Sequence, residues 1–448
     1  MKTNAMLPLT LRMAVSASLV LFGVAPALQA GDTTRVSVDS AGVEGNGFST
    51  APSISASSNG RYVAFQSQAS NLVPGDGNGL PDVFVHDRQT GLTTRVSVDS
   101  AGAEGNSSSF APSISANGRY VAFHSIASNL VPGDVGGALD VFVHDWQTGQ
   151  TTRVSVDSAG VEGNGQSALA DISASGRYVS FASFASNLVA GDGNGFADIF
   201  VHDRNTGETT RVSVDSAGVE GNLGSQNSSI SSNGRYVAFD SLASNLVAGD
   251  GNGFADIFVH DRNTGRTSRL SVDSSGVEGN LGSARPSISD SGRSVAFVSQ
   301  ATNLVPGDGN FSTDIFVHDT KSDLTTRVSV DSAGAEGNQG ADFPSISANG
   351  RYVAFASNAS NLVPGDGNGL PDIFVHDRNS GLTTRESVDS AGAEANFGST
   401  VPSISATGRF VAFESQATNL VPGDDNFQTD CFVHDRSGHA TDAGVASH

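Results

Sequence analysis

One segment returns seven times along this chain at a nearly constant spacing, and no other feature limits the fold as strongly. It reads Thr-Thr-Arg-Val-Ser-Val-Asp-Ser, with small changes between copies. A period of this length is typical of solenoids and propellers, in which each repeat is one supersecondary unit. The copies begin at Thr33, Thr93, Thr151, Thr209, Thr267, Thr325 and Thr383.

Each repeat predicts four short strands and no helix. In the first full repeat, residues 62–65 follow an Asn59-Gly60 turn, which is a strong hairpin signal. Residues 83–86 follow a loop rich in Gly and Asp, and both runs are nearly continuously apolar, as expected for strands buried on two faces. A short first strand is predicted at 52–55, and the fourth strand type is predicted at 36–38, where apolar and polar residues alternate.

The two ends of the chain distinguish a closed ring from a linear solenoid. The repeats begin with a lone fourth-type strand at 33–40 and end with a set that lacks one, at 402–435. Pairing these ends completes the last repeat and leaves no exposed strand edge. A solenoid would need distinct capping repeats, and the sequence has none. We therefore predict an all-β, seven-bladed β-propeller of four-stranded antiparallel blades, closed by the N-terminal strand.

The repeat also resembles a known family. The pattern Pro-Ser-Ile-Ser-x-Asn-Gly-Arg-Tyr-Val-Ala-Phe, followed by Asp-x-Phe-Val-His-Asp-Arg, is similar to the WD40-like repeats of TolB-type bacterial propellers, over residues 33–436. The resemblance implies a propeller. Relatives of this type include partners of envelope lipoproteins, propellers that gate peptidases, and polysaccharide lyases. We expect no counterpart of the separate N-terminal domain of TolB, so the envelope role of TolB itself is not implied.

The chain divides into three segments. Residues 1–30 read as a signal peptide, with basic Lys2 and Arg12, an apolar run at 13–24, and small residues before the cleavage region. We expect the propeller over 31–436 and a disordered tail over 437–448. The single Cys431 excludes an internal disulfide. These features predict a periplasmic or secreted protein with no membrane span after signal removal.

Charge separates the two faces of the predicted ring. The formal net charge of -22 argues against nucleic-acid binding and favours cations or basic partners. The long loops at 39–46 and 73–79 carry Asp, Glu and Asn and should share one face. The tight turns at 59–61 and 88–95 carry Arg and should share the opposite face. We expect one acidic face and one mildly basic face.

The acidic loop predicts calcium ligands. Asp76, Asn78 and Asp82 follow the spacing found in part of an EF-hand loop, with Gly79 at the turn. Pro74 replaces the leading acidic ligand, so we expect weak affinity, about 10⁻⁴ to 10⁻³ M. The alternative is that the Asp and Asn side chains form Asx-turns and bind no metal.

Five other blades repeat the oxygen ligands, and blade two is degenerate because Gly136 stands between Asp134 and Asp140. The further predicted ligand sets are Asp192/Asn194/Asp198, Asp250/Asn252/Asp256, Asp308/Asn310/Asp314, Asp366/Asn368/Asp372 and Asp424/Asn426/Asp430.

The sequence contains no motif for an enzyme active site. No Gly-x-Ser-x-Gly elbow, metal-type Cys/His pair or phosphate-binding Gly loop is present. Seven of the ten His occupy one repeat position, typified by His86, which indicates a structural use. His124 is the one propeller His outside that position, and Trp146 is expected to be an exposed aromatic on the basic face.

Two adjacent positions before each first strand vary although their flanks hardly change. Because first strands line the channel of a propeller, these positions should ring its mouth on the acidic face, unless they simply drift at an unconstrained loop end. They read Thr50-Ala51, Phe110-Ala111, Ala168-Leu169, Gln226-Asn227, Ala284-Arg285, Asp342-Phe343 and Thr400-Val401. The residues predicted to contact a ligand are Phe110, Arg285, Asp342 and Phe343.

The leading hypothesis is an exported, monomeric, calcium-binding propeller scaffold that recognises a protein or a glycan. The alternative is a secreted carbohydrate-active enzyme, a lyase or hydrolase, with its active site at the channel mouth. That alternative requires an asymmetric cluster of His, Arg and carboxylates at the mouth. A third possibility is a purely structural surface protein.

Overall fold

A computed structural model describes residues 31–57, 59–134 and 137–438. These residues form seven four-stranded antiparallel sheets and one terminal 3-10 turn at Arg436–Gly438. The predicted seven-bladed propeller is confirmed. The predicted signal peptide, most of the predicted tail and the degenerate Gly136 lie outside the described residues. No helix in the described part of the chain has the length and apolar character needed to cross a membrane.

The first strand of each blade is innermost, because the first strands of neighbouring blades contact one another around the ring. Each of these strands starts a few residues earlier than the sequence predicted, so it includes the variable positions. The innermost strands are β2 (Ser49–Ile54), β6 (Ser109–Ile114), β10 (Ser167–Ile172), β14 (Ser225–Ile230), β18 (Ser283–Ile288), β22 (Ala341–Ile346) and β26 (Ser399–Ile404).

The second and third strands form the buried centre of each blade. The second strands are β3 (Tyr62–Ser67), β7 (Tyr120–Ser125), β11 (Tyr178–Ser183), β15 (Tyr236–Ser241), β19 (Ser294–Ser299), β23 (Tyr352–Ser357) and β27 (Phe410–Ser415). The third strands are β4 (Asp82–Asp87), β8 (Asp140–Asp145), β12 (Asp198–Asp203), β16 (Asp256–Asp261), β20 (Asp314–Asp319), β24 (Asp372–Asp377) and β28 (Asp430–Asp435).

The sequence predicted that Val-Ser-Val forms the outer strand. In the structure the outer strand is formed by the preceding Thr-Thr-Arg. Ser37 ends the strand because its Oγ turns back to the third strand and donates to Asp430 Oδ1. Val38 then makes only an isolated bridge to Glu44. The outer strands are β1 (Thr33–Arg35), β5 (Leu92–Arg95), β9 (Gln150–Arg153), β13 (Glu208–Arg211), β17 (Arg266–Arg269), β21 (Leu324–Arg327) and β25 (Thr383–Arg385).

The N-terminal strand closes the ring as predicted. β1 pairs antiparallel with β28, with Thr34 opposite Val433 and Arg35 opposite Phe432. The last blade therefore contains the strand order β1-β28-β27-β26. Because this blade joins the two ends of the chain, no blade is left with a missing strand.

The hydrophobic core lies between blades. Within a blade, Phe65 and Phe84 stack with ring centroids 5.9 Å apart, and both are fully buried. Val85 of the first blade packs in one cluster with Ile114 and Phe123 of the second. Full burial of such side chains contributes about 1.5–3 kcal/mol each relative to exposure. Adjacent blades therefore share one core, and the same arrangement is repeated around the ring.

The repeated His is a structural residue. His86 Nδ1 lies 2.9 Å from Thr93 Oγ1, and Thr93 Oγ1 donates to the carbonyl of Val38 at 2.5 Å. Because the hydroxyl proton is used by Val38, His86 Nδ1 must be the donor to Thr93. Burial lowers the pKa of His86 to about 4. The neutral His86 ring thus holds Thr93 of the outer strand, and Thr93 in turn holds Val38 in the loop that precedes the blade.

Candidate functional site

The loops on one face bring three carboxylates together in each blade. In blade one these are Asp76, Asp82 and Glu104, and in the five trios with described oxygen separations the ligand atoms lie within 4.8 Å of one another. Asp82 begins the third strand, whereas Glu104 comes from the loop that leads to the next blade. The other trios are Asp134/Asp140/Glu162, Asp192/Asp198/Glu220, Asp250/Asp256/Glu278, Asp308/Asp314/Glu336, Asp366/Asp372/Glu394 and Asp424/Asp430/Glu44.

An arginine lies at the centre of each trio, and the expectation that Arg95 belongs to the opposite face is wrong. The outer strand runs from the basic face to the acidic face and carries Arg95 with it. Arg95 Nη1 lies 2.6 Å from Glu104 Oε1, 3.4 Å from Asp82 Oδ2 and 3.7 Å from Asp76 Oδ2. The equivalent arginines are Arg35, Arg153, Arg211, Arg269, Arg327 and Arg385.

The predicted asparagine ligands hold the loop. Asn78 Oδ1 accepts a hydrogen bond from the backbone N–H of Leu80 at 2.6 Å, and Asn78 Nδ2 donates to the carbonyl of Gly105 at 2.9 Å. This is the Asx-turn arrangement. The amide oxygen already accepts the turn hydrogen bond, so the carboxylates are the side-chain oxygens that could hold a cation here. The same contacts recur at Asn194, Asn252, Asn310, Asn368 and Asn426.

Burial makes the charged form of the central aspartates unfavourable. Asp82 is fully buried, and its Oδ1 accepts a 2.5 Å hydrogen bond from Ser97 Oγ. Burial raises the pKa of Asp82 to about 6 and that of Asp430 to about 7, although the neighbouring serine and arginine lower both values. Three carboxylates face one guanidinium in every blade, so each ionised cluster carries two uncompensated negative charges.

Such a cluster can bind a metal ion. Ca²⁺, Mg²⁺ and Mn²⁺ prefer oxygen ligands, and the trio supplies at least three from two loops and a strand. An incoming cation must displace the Arg95 guanidinium, because Arg95 Nη1 already contacts all three carboxylates. A metal ion and the Arg95 guanidinium would therefore compete for the same carboxylate oxygens.

Glu104 and its partner Arg95 belong to the cluster but were not among the residues predicted from the sequence. A signal for both exists, because Arg and Glu stand nine residues apart in every repeat, as in Arg95 and Glu104. The isolated bridge from Val98 to Glu104 folds the intervening segment back and brings the two ends together. A fixed Arg–Glu separation across a Gly-containing loop indicates such a pair.

The variable positions do lie at the acidic end of the innermost strands. The registers of the first two strands shift between Thr50 and Ser53, which marks a β-bulge. Ala51, at the bulge, has φ 51°, in the left-handed region that non-glycine residues rarely adopt. The equivalent residues with positive φ are Ala111, Leu169, Asn227, Arg285, Phe343 and Val401.

A second set of variable residues faces the bulges from the second strands, and His124 is the one member of it that was singled out from the sequence. Gln66 Oε1 accepts from the N–H of Ala111 in the next blade at 2.7 Å, and Glu414 Oε2 accepts from Ala51 N at 2.8 Å. The signal was one changing residue inside an otherwise constant strand. The set is Gln66, His124, Ala182, Asp240, Val298, Ala356 and Glu414.

Three of the four predicted ligand-contact residues come together. Arg285 Nη1 lies 2.7 Å from Asp342 Oδ2, and its guanidinium lies 4.1 Å from the centroid of the Phe343 ring. Arg285 and Asp342 are about two-fifths exposed. Phe110 is not part of this group, since it packs instead on His124 of its own blade, 5.9 Å between ring centroids.

An apolar groove opens beside the mouth between blades three and four. Its volume is about 290 Å³. Phe184, Phe196 and Leu242 line it and are 58%, 44% and 51% exposed, while Gln226 and Asp240 connect it to the mouth. Gln68 and Gln416 replace the apolar residue of Phe184 in other blades. The surface around the mouth is therefore apolar beside blades three and four and polar beside blades one and seven.

Comparisons with known proteins identify the fold. No family model matches the sequence, and no curated protein matches it. An oligogalacturonate lyase in complex with manganese superposes with a TM-score of 0.53 at 12% identity, over 90% of this chain and 92% of that chain. The β-propeller domain of the Trilobed protease from Pyrococcus furiosus gives 0.53 at 11%, over 87% and 95%. Both likenesses show the propeller fold.

TolB from Acinetobacter baumannii also matches, with a TM-score of 0.40 at 16% identity. The match covers 68% of this chain and 59% of that chain, so this chain spans less than two thirds of the length of TolB.

Proposed function

We propose that this protein is an exported, calcium-loaded β-propeller scaffold that recognises a protein or glycan ligand at its channel mouth. The observation that carries the proposal is where the blades differ. The core packing, the outer strand and the acidic cluster are nearly the same in all seven blades. The bulge residues and their cross-strand partners differ from blade to blade around the mouth. A surface that is asymmetric on a symmetric scaffold is suited to selecting one ligand.

Calcium is the cation that the clusters support best. The trio offers hard oxygen ligands from two loops and one strand end, which suits the flexible coordination of Ca²⁺ better than the strict octahedron of Mg²⁺. The cluster contains no described nitrogen or sulfur ligand that would favour zinc. Competition with the arginine at each centre makes the affinity weak, about 10⁻⁴ to 10⁻³ M, as in extracellular modules.

The mouth offers the contacts that a protein or glycan needs. The apolar groove supplies aromatic faces beside the polar Gln226 and Asp240. The Arg285–Asp342 pair can exchange its partners for a ligand, because both side chains are partly exposed. We infer that the ligand lies across the mouth from the groove to this pair.

The test is a binding screen with matched variants. Labelled wild-type protein would be exposed to oligosaccharide and envelope-peptide arrays in millimolar Ca²⁺. A hit should be lost with Phe184→Gln or Arg285→Ala and kept with Gln68→Ala, which alters the groove position of blade one. If binding is lost only with Gln68→Ala, or if all variants bind equally, the ligand does not bind at this part of the mouth.

A lyase or hydrolase remains the second candidate because His124 lies at the mouth. His124 is 8% exposed, and burial lowers its pKa to about 4, so the ring is neutral at pH 7 but is a weak base. No described carboxylate pairs with its Nδ1, however, so the triad-like support that a catalytic His needs is missing there. Cleavage of any bound oligosaccharide by wild-type protein, and none by His124→Ala, would favour this candidate.

A further inference from the structure

One repeat position contributes a side chain that fills the cleft on the preceding blade. It directly follows the last Asp of each third strand. Five blades carry Arg there, blade two carries Trp146, and blade five carries Thr320. The arginines are Arg88, Arg204, Arg262, Arg378 and Arg436.

All five arginines donate to a glycine carbonyl, and four of them lie over an aromatic ring of the preceding blade, whereas Arg378 donates to Ser294 there. The Arg204 guanidinium lies 4.6 Å from the centroid of the Tyr120 ring in the preceding blade, and Arg204 Nη1 donates to the carbonyl of Gly176 at 2.6 Å. Arg119 covers the other face of the Tyr120 ring at 4.9 Å. The ring is therefore enclosed between two guanidinium groups. The same arrangement holds for Tyr178 between Arg177 and Arg262.

Blade two shows that the position is filled even without arginine. Trp146 packs edge-on against Tyr62, 5.4 Å between centroids, and its Nε1 donates to the carbonyl of Gly118 at 2.6 Å. The expectation that Trp146 is an exposed aromatic is therefore wrong, because the indole takes the place and the acceptor of the missing guanidinium.

Blade five leaves the place open. Arg235 covers one face of the Tyr236 ring at 4.7 Å, and no described guanidinium covers the other. Thr320 is too short to reach the ring, and its Oγ1 makes only a long 3.4 Å contact with the carbonyl of Gly292. The carbonyl of Gly292 therefore lacks the arginine donor that its equivalents have, and one face of the Tyr236 ring lacks a guanidinium.

A cavity occupies this place. It has a volume of about 560 Å³, and its lining includes Tyr236, Asp261, Gly292 and Thr320. The described lining of the comparable groove between blades one and two includes His144 and Gly149 but neither Tyr62 nor Trp146. The longer cavity between blades four and five is therefore the space that a guanidinium fills elsewhere.

The charges at this end favour a cation. Burial lowers the pKa of the inserted Arg204, and the carboxylate of Asp145, at the position of Asp261, partly opposes that lowering. Asp323 also lines the cavity, at a position where glycine stands in blades one to four. Arg266 lies in the same lining, and both Arg266 and Asp323 are exposed. Asp261, which also pairs with Arg235, and Asp323 thus both line the cavity beside the Tyr236 ring.

We propose that the cleft between blades four and five is a binding site for a guanidinium group. The ligand stacks on the open face of Tyr236, donates to the carbonyl of Gly292, and is balanced by Asp261 and Asp323. Its planar fork reproduces the contacts that Arg262 makes one blade earlier with the Tyr178 ring and the carbonyl of Gly234. The site is separate from the channel mouth and does not depend on the proposed function.

The test uses methylguanidinium chloride as the probe and ligand-observed NMR titration as the readout. Wild-type protein should bind it saturably, while methylammonium, which lacks the planar fork, should bind at least about tenfold more weakly. Thr320→Arg restores the residue of the other blades, so it should fold and should reduce binding at least about tenfold. Arg204→Thr should create a second site and double the number of probes bound.

Equal binding by wild-type protein and Thr320→Arg, or no binding by wild-type protein and Arg204→Thr alike, would overturn the proposal. The source of the natural guanidinium follows from two further probes. Tighter binding of N-acetylarginine amide identifies an arginine of a protein partner, and tighter binding of free arginine identifies a small molecule. Either order supports the guanidinium site.

Discussion

At the scale of single residues, Arg95 and its six counterparts occupy the place where a metal ion would also bind. Each stands among three carboxylates, of which two are almost completely buried. A guanidinium can neutralise only part of that charge. The arginine therefore stabilises the metal-free blade and opposes metal binding, and the two roles can be separated by substitution.

Arg95→Met should destabilise the protein in EDTA by about 3 kcal/mol, because it leaves buried carboxylates without their cation. Millimolar Ca²⁺ should restore much of that loss, since the vacated place becomes available to the metal. Denaturant unfolding with and without Ca²⁺ measures both effects. Arg61→Met is the control, because Arg61 pairs with Asp87 on the opposite face and its loss should be insensitive to Ca²⁺. A deficit in Arg95→Met that Ca²⁺ leaves unchanged would contradict the competition.

Asp430 provides a test by pH. Burial raises its folded pKa to about 7, against about 4 in the unfolded chain. The folded state therefore binds an extra proton between these values, so the Asp430 contribution to stability falls as pH rises from 4 to 7 and then stays constant. Asp430→Asn, which stays neutral, should gain about 2–3 kcal/mol relative to wild type at pH 8 compared with pH 5, in EDTA.

The comparison of these two proteins also cancels the opposing effect of the buried histidines, which are common to both. His86 and its equivalents have lowered pKa values, so they reduce stability as pH falls. A stability difference between Asp430→Asn and wild type that is flat from pH 5 to pH 8 would show that Asp430 ionises normally in the fold.

At the scale of the strand, the repeat predicted the architecture well because strand number and hairpin turns are local properties. Tyr62–Ser67 and Asp82–Asp87 are apolar runs next to turn residues, and both are where the sequence placed them. The outer strand was misplaced by a few residues because the serine that follows it turns toward the third strand, as Ser97 does when it donates to Asp82, 15 residues away. The alternating Val-Ser-Val pattern carries no signal for this contact between two strands.

The candidate site was predictable in part for the same reason. Asp76 and Asp82 share one loop, and their spacing alone brings them together. Arg95 lies at the end of the outer strand β5, and Glu104 lies in the loop that leads to the next blade. Whether they reach Asp76 and Asp82 depends on the direction in which β5 runs. Gln66 and Ala111 meet across two blades, and only the ring geometry shows that pairing.

The closing strand β1 should be a point of weakness. Val36 N donates to the carbonyl of Cys431, and antiparallel alternation gives Thr34 the next such bond, to Val433. Thr34→Pro removes that donor and should cost about 1–3 kcal/mol. Hydrogen exchange should become faster throughout β28. Thr152→Pro makes the same change at Val143 in blade two, so its effect should stay within that blade. Unchanged exchange in β28 of the Thr34→Pro variant would contradict closure by β1.

At the scale of the whole molecule, symmetry and asymmetry occupy different places. The core, the outer strands and the acidic clusters repeat seven times, and the ring of clusters gives one face a strong negative potential. The channel mouth and the cleft at Tyr236 are the places where the blades differ. The repeated parts are suited to folding and cation binding, and the differing parts are suited to recognition.

The most direct test of this account is a count of Ca²⁺ bound per chain by equilibrium dialysis, with thermal unfolding in EDTA and in millimolar Ca²⁺ alongside. A ligand that binds only the folded state raises the melting temperature by mass action. The account predicts several weakly bound ions per chain, a clear upward shift in melting temperature, and fewer ions in Asp82→Asn. No bound Ca²⁺ and no shift would mean that the arginines alone balance the acidic face, and the calcium-loaded scaffold would be wrong.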